Sequence, residues 1–138
     1  MFIEDNELTE VKVYYKKIRA NAYEAYTKKE FQSLKDKNKD KYSALIVKMK
    51  ELTWGLYNEL QDESYKMGPD GKDRQFNYKL FKENRMQRLL VEWDAKDKDD
   101  NVVPINSKTI LKMAPDIAEA ILRGYDEVST LSEDDKKN

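Results

Sequence analysis

The chain has 138 residues with 26 basic and 27 acidic side chains, so its formal net charge is only −1. This balance gives no general attraction to nucleic acid or anionic lipid, and any such binding has to be local. The sequence contains neither Cys nor His. It therefore excludes disulfides, thiolate nucleophiles and zinc–thiolate sites, and it lacks the usual neutral-pH base and the commonest metal ligand.

The start of the chain carries the acidic residues Glu4, Asp5 and Glu7, where a secretory signal would be basic. No apolar run approaches the roughly 20 residues that span a bilayer. We therefore expect a cytosolic protein. The length predicts one domain over residues 1–128, and the composition predicts a disordered, charged tail over residues 129–138.

Apolar residues recur at steps of three and four in the first quarter of the chain. They are Val11, Tyr14, Tyr15, Ile18, Ala22, Ala25 and Tyr26. This spacing predicts an N-terminal helix over about residues 9–35, with one face against a core. The alternation of Val11, Val13 and Tyr15 is also compatible with a short strand, but the length of the pattern and its alanines favour the helix.

A charged connection is predicted over residues 36–42, because this segment has too few apolar residues to be buried. The wider stretch Lys28–Lys41 holds six lysines against three acids, a net charge of +3, with Phe31 as its one aromatic residue. A patch of this kind is a candidate for binding phosphate groups. The interspersed acids favour a solvated connection instead.

The segment 43–128 is predicted to form the core of the domain. Around residues 45–50 the alternation of apolar and Lys residues indicates a short β element, with a continuous helix as the alternative. Thr53 is a suitable N-cap for a helix that ends near Met67, and Gly68–Gly71 has strong turn chemistry.

Two further helical segments are predicted, over about Tyr78–Trp93 and from Pro115 onward, where proline suits a first turn. Between them lie an exposed acidic loop, an extended stretch around Pro104, and a short turn capped by Ser107. The predicted fold class is therefore all-α. We expect a small single-domain helical bundle with, at most, one short β element near residues 45–50.

Catalytic and metal-binding chemistry is poorly supported by the sequence. The run Asp97–Asn101 begins like a calcium loop, but Val102 and Lys108 replace the required Gly and Glu. Glu59 and Glu63 have the spacing of metal-binding carboxylates in helical bundles, but those sites also use His. We expect no enzymatic activity, no metal site and no cofactor.

The candidate partner-binding residues are large apolar side chains in the two central predicted helices. They are Trp54, Tyr57, Leu60, Leu89 and Trp93. Aromatic residues at helical spacing are most often part of a core, yet Trp and Tyr are also favoured anchors at protein–protein interfaces. The sequence leaves both roles open for these five residues.

The order of elements in the second half of the chain resembles that of a known family. The segments that carry the resemblance are Lys50–Gln61, the Asp70-Gly71 turn, Tyr78–Trp93, Val103–Asn106 and Met113–Leu122. Over roughly residues 48–128 the chain resembles bacteriophage tail assembly chaperones, small proteins encoded near the tape-measure protein. The family usually carries Gly where Asn101 stands, a mild change because Asn tolerates left-handed backbone. The region before Tyr42 lies outside the resemblance.

The resemblance implies a non-enzymatic protein of the host cytoplasm that coats the long, helical tape-measure protein before the tail tube polymerises. Its partners would be the tape-measure protein or other tail proteins, with self-association as an option and without membrane or nucleic acid. One alternative is a structural virion component, such as a tail or baseplate subunit. A second is a small nucleic-acid-binding regulatory protein that uses the Lys28–Lys41 segment.

Overall fold

The fold was analysed in a computed structural model, which describes residues 1–4, 6–20, 22–35 and 38–129. The predicted tail lies outside these ranges, apart from Ser129, which ends a helix. The protein has a mixed α/β fold, so the predictions of an all-α class and of a helical protein were wrong. A four-stranded antiparallel sheet forms one layer, and a two-stranded hairpin lies apart from it.

Six strands and five helices follow one another in the described residues. The strands are β1 (Leu8–Arg19), β2 (Ala22–Thr27), β3 (Ser43–Lys50), β4 (Tyr65–Met67), β5 (Arg74–Phe76) and β6 (Leu90–Trp93). The helices are α1 (Lys28–Gln32), α2 (Trp54–Glu63), α3 (Tyr78–Leu89), α4 (Ser107–Leu111) and α5 (Pro115–Ser129), with a short 3-10 turn over Lys39–Lys41. The main sheet has the order β2-β1-β3-β6, and β4 pairs with β5.

The predicted N-terminal helix over about residues 9–35 is instead a pair of antiparallel strands followed by one short helix. Strand β1 lies between β2 and β3, so neighbours on both sides satisfy its backbone groups. Val11 and Val13 point to the buried side of the sheet, while Lys12 and Tyr14 point to the opposite side. The alternation of Val11, Val13 and Tyr15, and not the spacing of three and four, therefore determines the structure here.

The short β element near residues 45–50 is present as β3, which pairs with β1 on one side and β6 on the other. Leu45, Val47 and Met49 are buried, and Lys48 and Lys50 are exposed. This period of two places one apolar face on the core. The predicted connection over residues 36–42 contains the Lys39–Lys41 turn in its described part.

Helix α5 packs along β1 and β2 and covers one face of the main sheet. The approach is closest at Gly124, where a Cβ atom would stand 2.7 Å from Val11 Cγ1. Ala120, Ile121 and Tyr125 belong to the same buried cluster as the inward residues of β1 and β3. We call this covered side the inner face and the opposite side of the sheet the outer face.

The central helices begin where the sequence predicts and end earlier. The Thr53 hydroxyl accepts a hydrogen bond from the Leu56 amide at 3.1 Å, which caps α2 as expected. Predicted helix ends at Met67 and Trp93 were wrong, because the last residues of both segments form strands β4 and β6. Antiparallel pairing with β5 and β3 satisfies these backbones instead.

Turn and cap chemistry elsewhere matches the predictions at Gly71 and Pro115 and departs from them by one residue at two other positions. Gly71 adopts a left-handed backbone with φ of 71°, as the predicted turn between β4 and β5 requires. In the acidic loop the left-handed residue is Asp100, with φ of 64°, one position before Asn101. Helix α4 is capped by Asn106 rather than Ser107, and α5 begins at Pro115 as predicted.

Candidate partner-binding groove

A surface groove lies where α3, α4 and the first half of α5 meet. The short helix α4 is held by a reciprocal cap, in which Asn106 Oδ1 accepts from the Thr109 amide at 2.9 Å and Thr109 Oγ1 accepts from the Asn106 amide at 3.1 Å. This cap fixes the helix so that Ile110 enters the core while Leu111 stays exposed. The adjacent apolar pair therefore serves both the core and the surface.

The groove has a volume of about 370 Å³ and mainly apolar walls. Its floor is formed by buried side chains of the core, including Met86, Ile110 and Leu122. Leu111 and Met113 line its side, and Leu111 has 55% of its surface exposed. Such an arrangement offers a concave apolar surface that is continuous with the core.

Charged residues of both signs surround the groove, namely Lys79, Lys82, Glu83 and Glu119. Lys82 Nζ donates to Glu119 Oε1 at 2.6 Å and so connects α3 with α5 across the rim. This hydrogen bond to Glu119 raises the pKa of the Lys82 ammonium above its ordinary value. Lys82 therefore stays charged at neutral pH, so the apolar interior of the groove has a charged rim.

Three of the five candidate residues from the sequence belong to the interior. Leu60 and Leu89 are fully buried. Trp93 is buried as well, and its Nε1 donates to the Val103 carbonyl oxygen at 2.6 Å. These three residues are therefore packed in the core, and Trp93 keeps only 9% of its surface exposed.

The other two candidates lie on the surface of α2. Trp54 has 82% of its surface exposed, and Tyr57 is exposed as well, with its hydroxyl accepting a hydrogen bond from Gln61 Nε2 at 2.7 Å. Neither of them lines the groove. An exposed Trp in the first turn of a helix remains a candidate anchor for a partner.

Sequence reasoning missed the groove because none of its lining residues was predicted to bind a partner. The available signal was the adjacent apolar pair Ile110 and Leu111 on a short helix. Neighbouring residues of a helix do not share a face, so one of the two was expected to stay at the surface. The position of the pair next to Met113 and Pro115 was not visible without knowing how α4 packs against α5.

A second exposed apolar area occupies the hairpin of β4 and β5. Tyr65 and Phe76 pair across the strands with ring centroids 5.6 Å apart, and Phe76 also contacts Phe81 of α3 at 5.5 Å. Met67 and Tyr78 are exposed nearby in the chain. The contact between Phe76 and Phe81 thus joins this hairpin to α3.

Within residues 1–4, 6–20, 22–35 and 38–129, no group of three or more acidic side chains is arranged to hold a metal ion. In the same part of the chain, no helix combines the length and apolar character needed to cross a membrane. Comparison of the chain with protein-family models, with curated proteins and with solved structures gave no match.

Proposed function

We propose that the protein is a phage tail assembly chaperone that binds an amphipathic helical segment of the tape-measure protein in the host cytoplasm. The observation that carries this proposal is the apolar groove between α3, α4 and α5 with its rim of mixed charge. The resemblance over roughly residues 48–128 supplies the identity of the client. The groove supplies a surface of the kind that such a client needs.

An amphipathic helix presents apolar side chains at positions i, i+3, i+4 and i+7, and an apolar groove receives them. Met86 and Met113 suit a client with a variable sequence, because the unbranched thioether side chain adapts to differently shaped neighbours. The rim charges would contact the polar flanks of the helix. They also keep the unoccupied groove from presenting a wider apolar patch that promotes aggregation.

The test is co-expression with the tape-measure protein encoded by the same phage, followed by co-purification and a measured dissociation constant. In the Leu111→Asp variant, a charged carboxylate would replace an apolar side chain in the wall of the groove. We expect binding to weaken by about tenfold or more. Leu111 is already exposed, so the fold should persist, as circular dichroism and thermal melting can confirm.

Ile18→Asp is the matched control, because Ile18 is an isomer of Leu111 with the same exposed fraction of 55% at the end of β1. It should bind the client as the wild type does. Equal weakening in both variants would contradict the role of the groove. If wild type and client stay soluble and unassociated, the chaperone proposal is wrong, and recovery of the chain from purified mature particles would identify a structural tail component instead.

A further inference from the structure

The outer face of the main sheet combines aromatic rings with lysines. Strand β1 contributes Lys12, Tyr14 and Lys16 at alternate positions, opposite to the inward Val11 and Val13. Tyr26 of β2 and the segment after it complete the surface. We call it the aromatic–lysine platform, and its members are Lys12, Tyr14, Lys16, Tyr26, Phe31, Lys39 and Tyr42.

Four rings of the platform form one continuous group. Phe31 lies flat on Tyr14, with centroids 4.0 Å apart and an angle of 10° between the rings. Tyr42 meets Phe31 edge-on at 5.3 Å and Tyr26 at 5.9 Å. All four rings are partly exposed, and they lie on the side of the sheet that α5 leaves uncovered. The group is therefore a half-open aromatic surface rather than a closed core.

Three ammonium groups are held over these rings. Lys12 Nζ lies 5.2 Å from the centre of the Tyr14 ring, Lys16 Nζ 5.1 Å from that of Tyr42, and Lys39 Nζ 5.2 Å from that of Phe31. These cation–π contacts restrict the lysines without neutralising their charge. The positive charges are therefore positioned in advance on a hydrophobic surface.

No carboxylate of a described residue forms an ion pair with any of these three lysines. Glu24, the one acidic residue of β2, is the register partner of Lys16, and its carboxylate accepts a hydrogen bond from the Tyr42 hydroxyl. Farther along the sheet, Lys48 is already paired with Glu92 at 3.6 Å. The platform thus concentrates unpaired positive charge in a chain whose net charge is −1.

The charge pattern and the rings together indicate the chemistry of a partner. Ammonium groups attract phosphates, and aromatic faces stack with planar bases irrespective of sequence. An acidic protein segment would use the lysines, but only its occasional aromatic residues could stack on the rings, whereas every nucleotide carries a planar base. We propose that the aromatic–lysine platform binds single-stranded nucleic acid, at a site distinct from the groove and on the other face of the sheet from α5.

Phe31 and Lys39 belong to the Lys28–Lys41 stretch, and the structure places both of them beside β1. The sequence showed only a basic run interrupted by acids. In the folded chain, Phe31 and Lys39 of this run lie next to Tyr14 and Lys12 and enlarge the surface that those two residues form. Binding should therefore depend on the residues of the platform and not on the net charge of the run.

The first test measures fluorescence anisotropy of a labelled oligothymidylate titrated with the full chain at several salt concentrations. Three phosphate contacts predict that the logarithm of the binding constant falls against that of the salt concentration with a slope of about −2. This amounts to a loss of affinity of about 20-fold between 50 and 200 mM salt. A flat salt dependence would overturn the proposal.

The lysines are tested by changing Lys12, Lys16 and Lys39 together to Gln, which should abolish most of the affinity and flatten the salt dependence. The matched control changes Lys66, Lys98 and Lys108 to Gln. These exposed lysines lie elsewhere and give the same change in net charge. The control should retain the affinity of the wild type to within about twofold, whereas equal losses in both triple variants would show that binding follows net charge alone.

The rings are tested by Tyr14→Leu and Phe31→Leu, which keep an apolar side chain but remove the aromatic face. Each should weaken binding of oligothymidylate by about fivefold or more, whereas affinity for inorganic polyphosphate, which depends on the positive charges alone, should fall far less. Equal binding of polyglutamate and oligothymidylate by the wild type would assign the platform to acidic protein segments. If the wild type binds neither polyglutamate nor oligothymidylate, the proposal is wrong, and the platform serves only to pack α1 against the sheet.

Discussion

The two faces of the main sheet are built from the same strands in different ways. On the inner face, Val11 and Val13 are buried in the cluster that α5 joins, and the approach of Gly124 to Val11 leaves no room for a methyl group. On the outer face, Tyr14 and Lys12 remain partly exposed and are held by ring stacking and cation–π contacts. Adjacent residues of one strand thus serve a close-packed interior and an adaptable surface.

This difference separates stability from recognition. Close packing makes the free energy of unfolding sensitive to the loss or gain of a single methylene on the inner face. The outer face depends on contacts that each contribute about 1 kcal/mol and that a ligand can rearrange. Substitutions on the inner face should therefore change stability, and those on the outer face should mainly change binding.

The largest effect is expected from Met49→Ala, because Met49 of β3 is fully buried in the cluster beneath α5. Removing its side chain leaves a cavity and should lower the free energy of unfolding by about 2 to 5 kcal/mol. Its neighbour Lys48 points outward and forms only an exposed ion pair with Glu92. Lys48→Ala should stay within about 0.5 kcal/mol of the wild type, as urea unfolding can measure.

A smaller contrast should follow from two glycine substitutions in helices. The new Cβ of Gly124→Ala would stand 2.7 Å from Val11 Cγ1, and overpacking of this kind costs about 1 to 3 kcal/mol, partly offset by the better helix propensity of Ala. The Cβ of Gly55→Ala in α2 meets nothing within 4 Å. The first variant should melt below the wild type and the second slightly above it. A stabilised Gly124→Ala would mean that α5 is packed loosely.

Local chemistry explains which parts of the fold could be predicted from the sequence. The Thr53 cap, the turn at Gly68–Gly71 and the start of α5 at Pro115 depend on residues that act within a few positions of themselves. Helix boundaries of this kind are encoded locally. The strand near residues 45–50 was also indicated, because its lysines alternate clearly with apolar residues.

The N-terminal strands were predicted as a helix because the two periodicities overlap. Val11 and Tyr15 are four residues apart, which places them on one face of either a helix or a strand. Strand β1 carries the aromatic Tyr14 on its outer face, where a simple alternating strand would have a polar residue, so the strand pattern is interrupted there. Only the pairing with β3, more than twenty residues away, decides between the two structures.

The site was predictable to a lesser degree than the fold. The sequence singled out five large apolar residues and left both a core and a partner-binding role open for them, and Leu60, Leu89 and Trp93 are buried in the structure. Burial depends on which helix packs where, and that information is not local. The groove and the aromatic–lysine platform are both formed by residues far apart in the chain, so no single sequence motif predicts either of them.

The smallest expected change in stability concerns Tyr125 of α5, which forms a hydrogen bond with β3 at the inner face of the sheet. Its hydroxyl donates to the Lys50 carbonyl oxygen at 2.9 Å, and burial raises its pKa to about 12. Tyr125→Phe should lower the free energy of unfolding at neutral pH by about 1 kcal/mol through the lost hydrogen bond. Tyr78→Phe, which changes an exposed ring, should have almost no effect and serves as the control.

The pH dependence of stability in the wild type and in Tyr125→Phe tests whether the Tyr125 hydroxyl is buried. An unfolded tyrosine titrates near pH 10, whereas Tyr125 in the folded chain keeps its proton until about 12. Between these values the unfolded state releases a proton that the folded state retains, so the stability due to Tyr125 is complete below pH 10 and declines as the pH rises. Tyr125→Phe removes this decline. The stability difference between wild type and variant should therefore shrink above pH 10. A constant difference would mean that water reaches the Tyr125 hydroxyl in the folded chain.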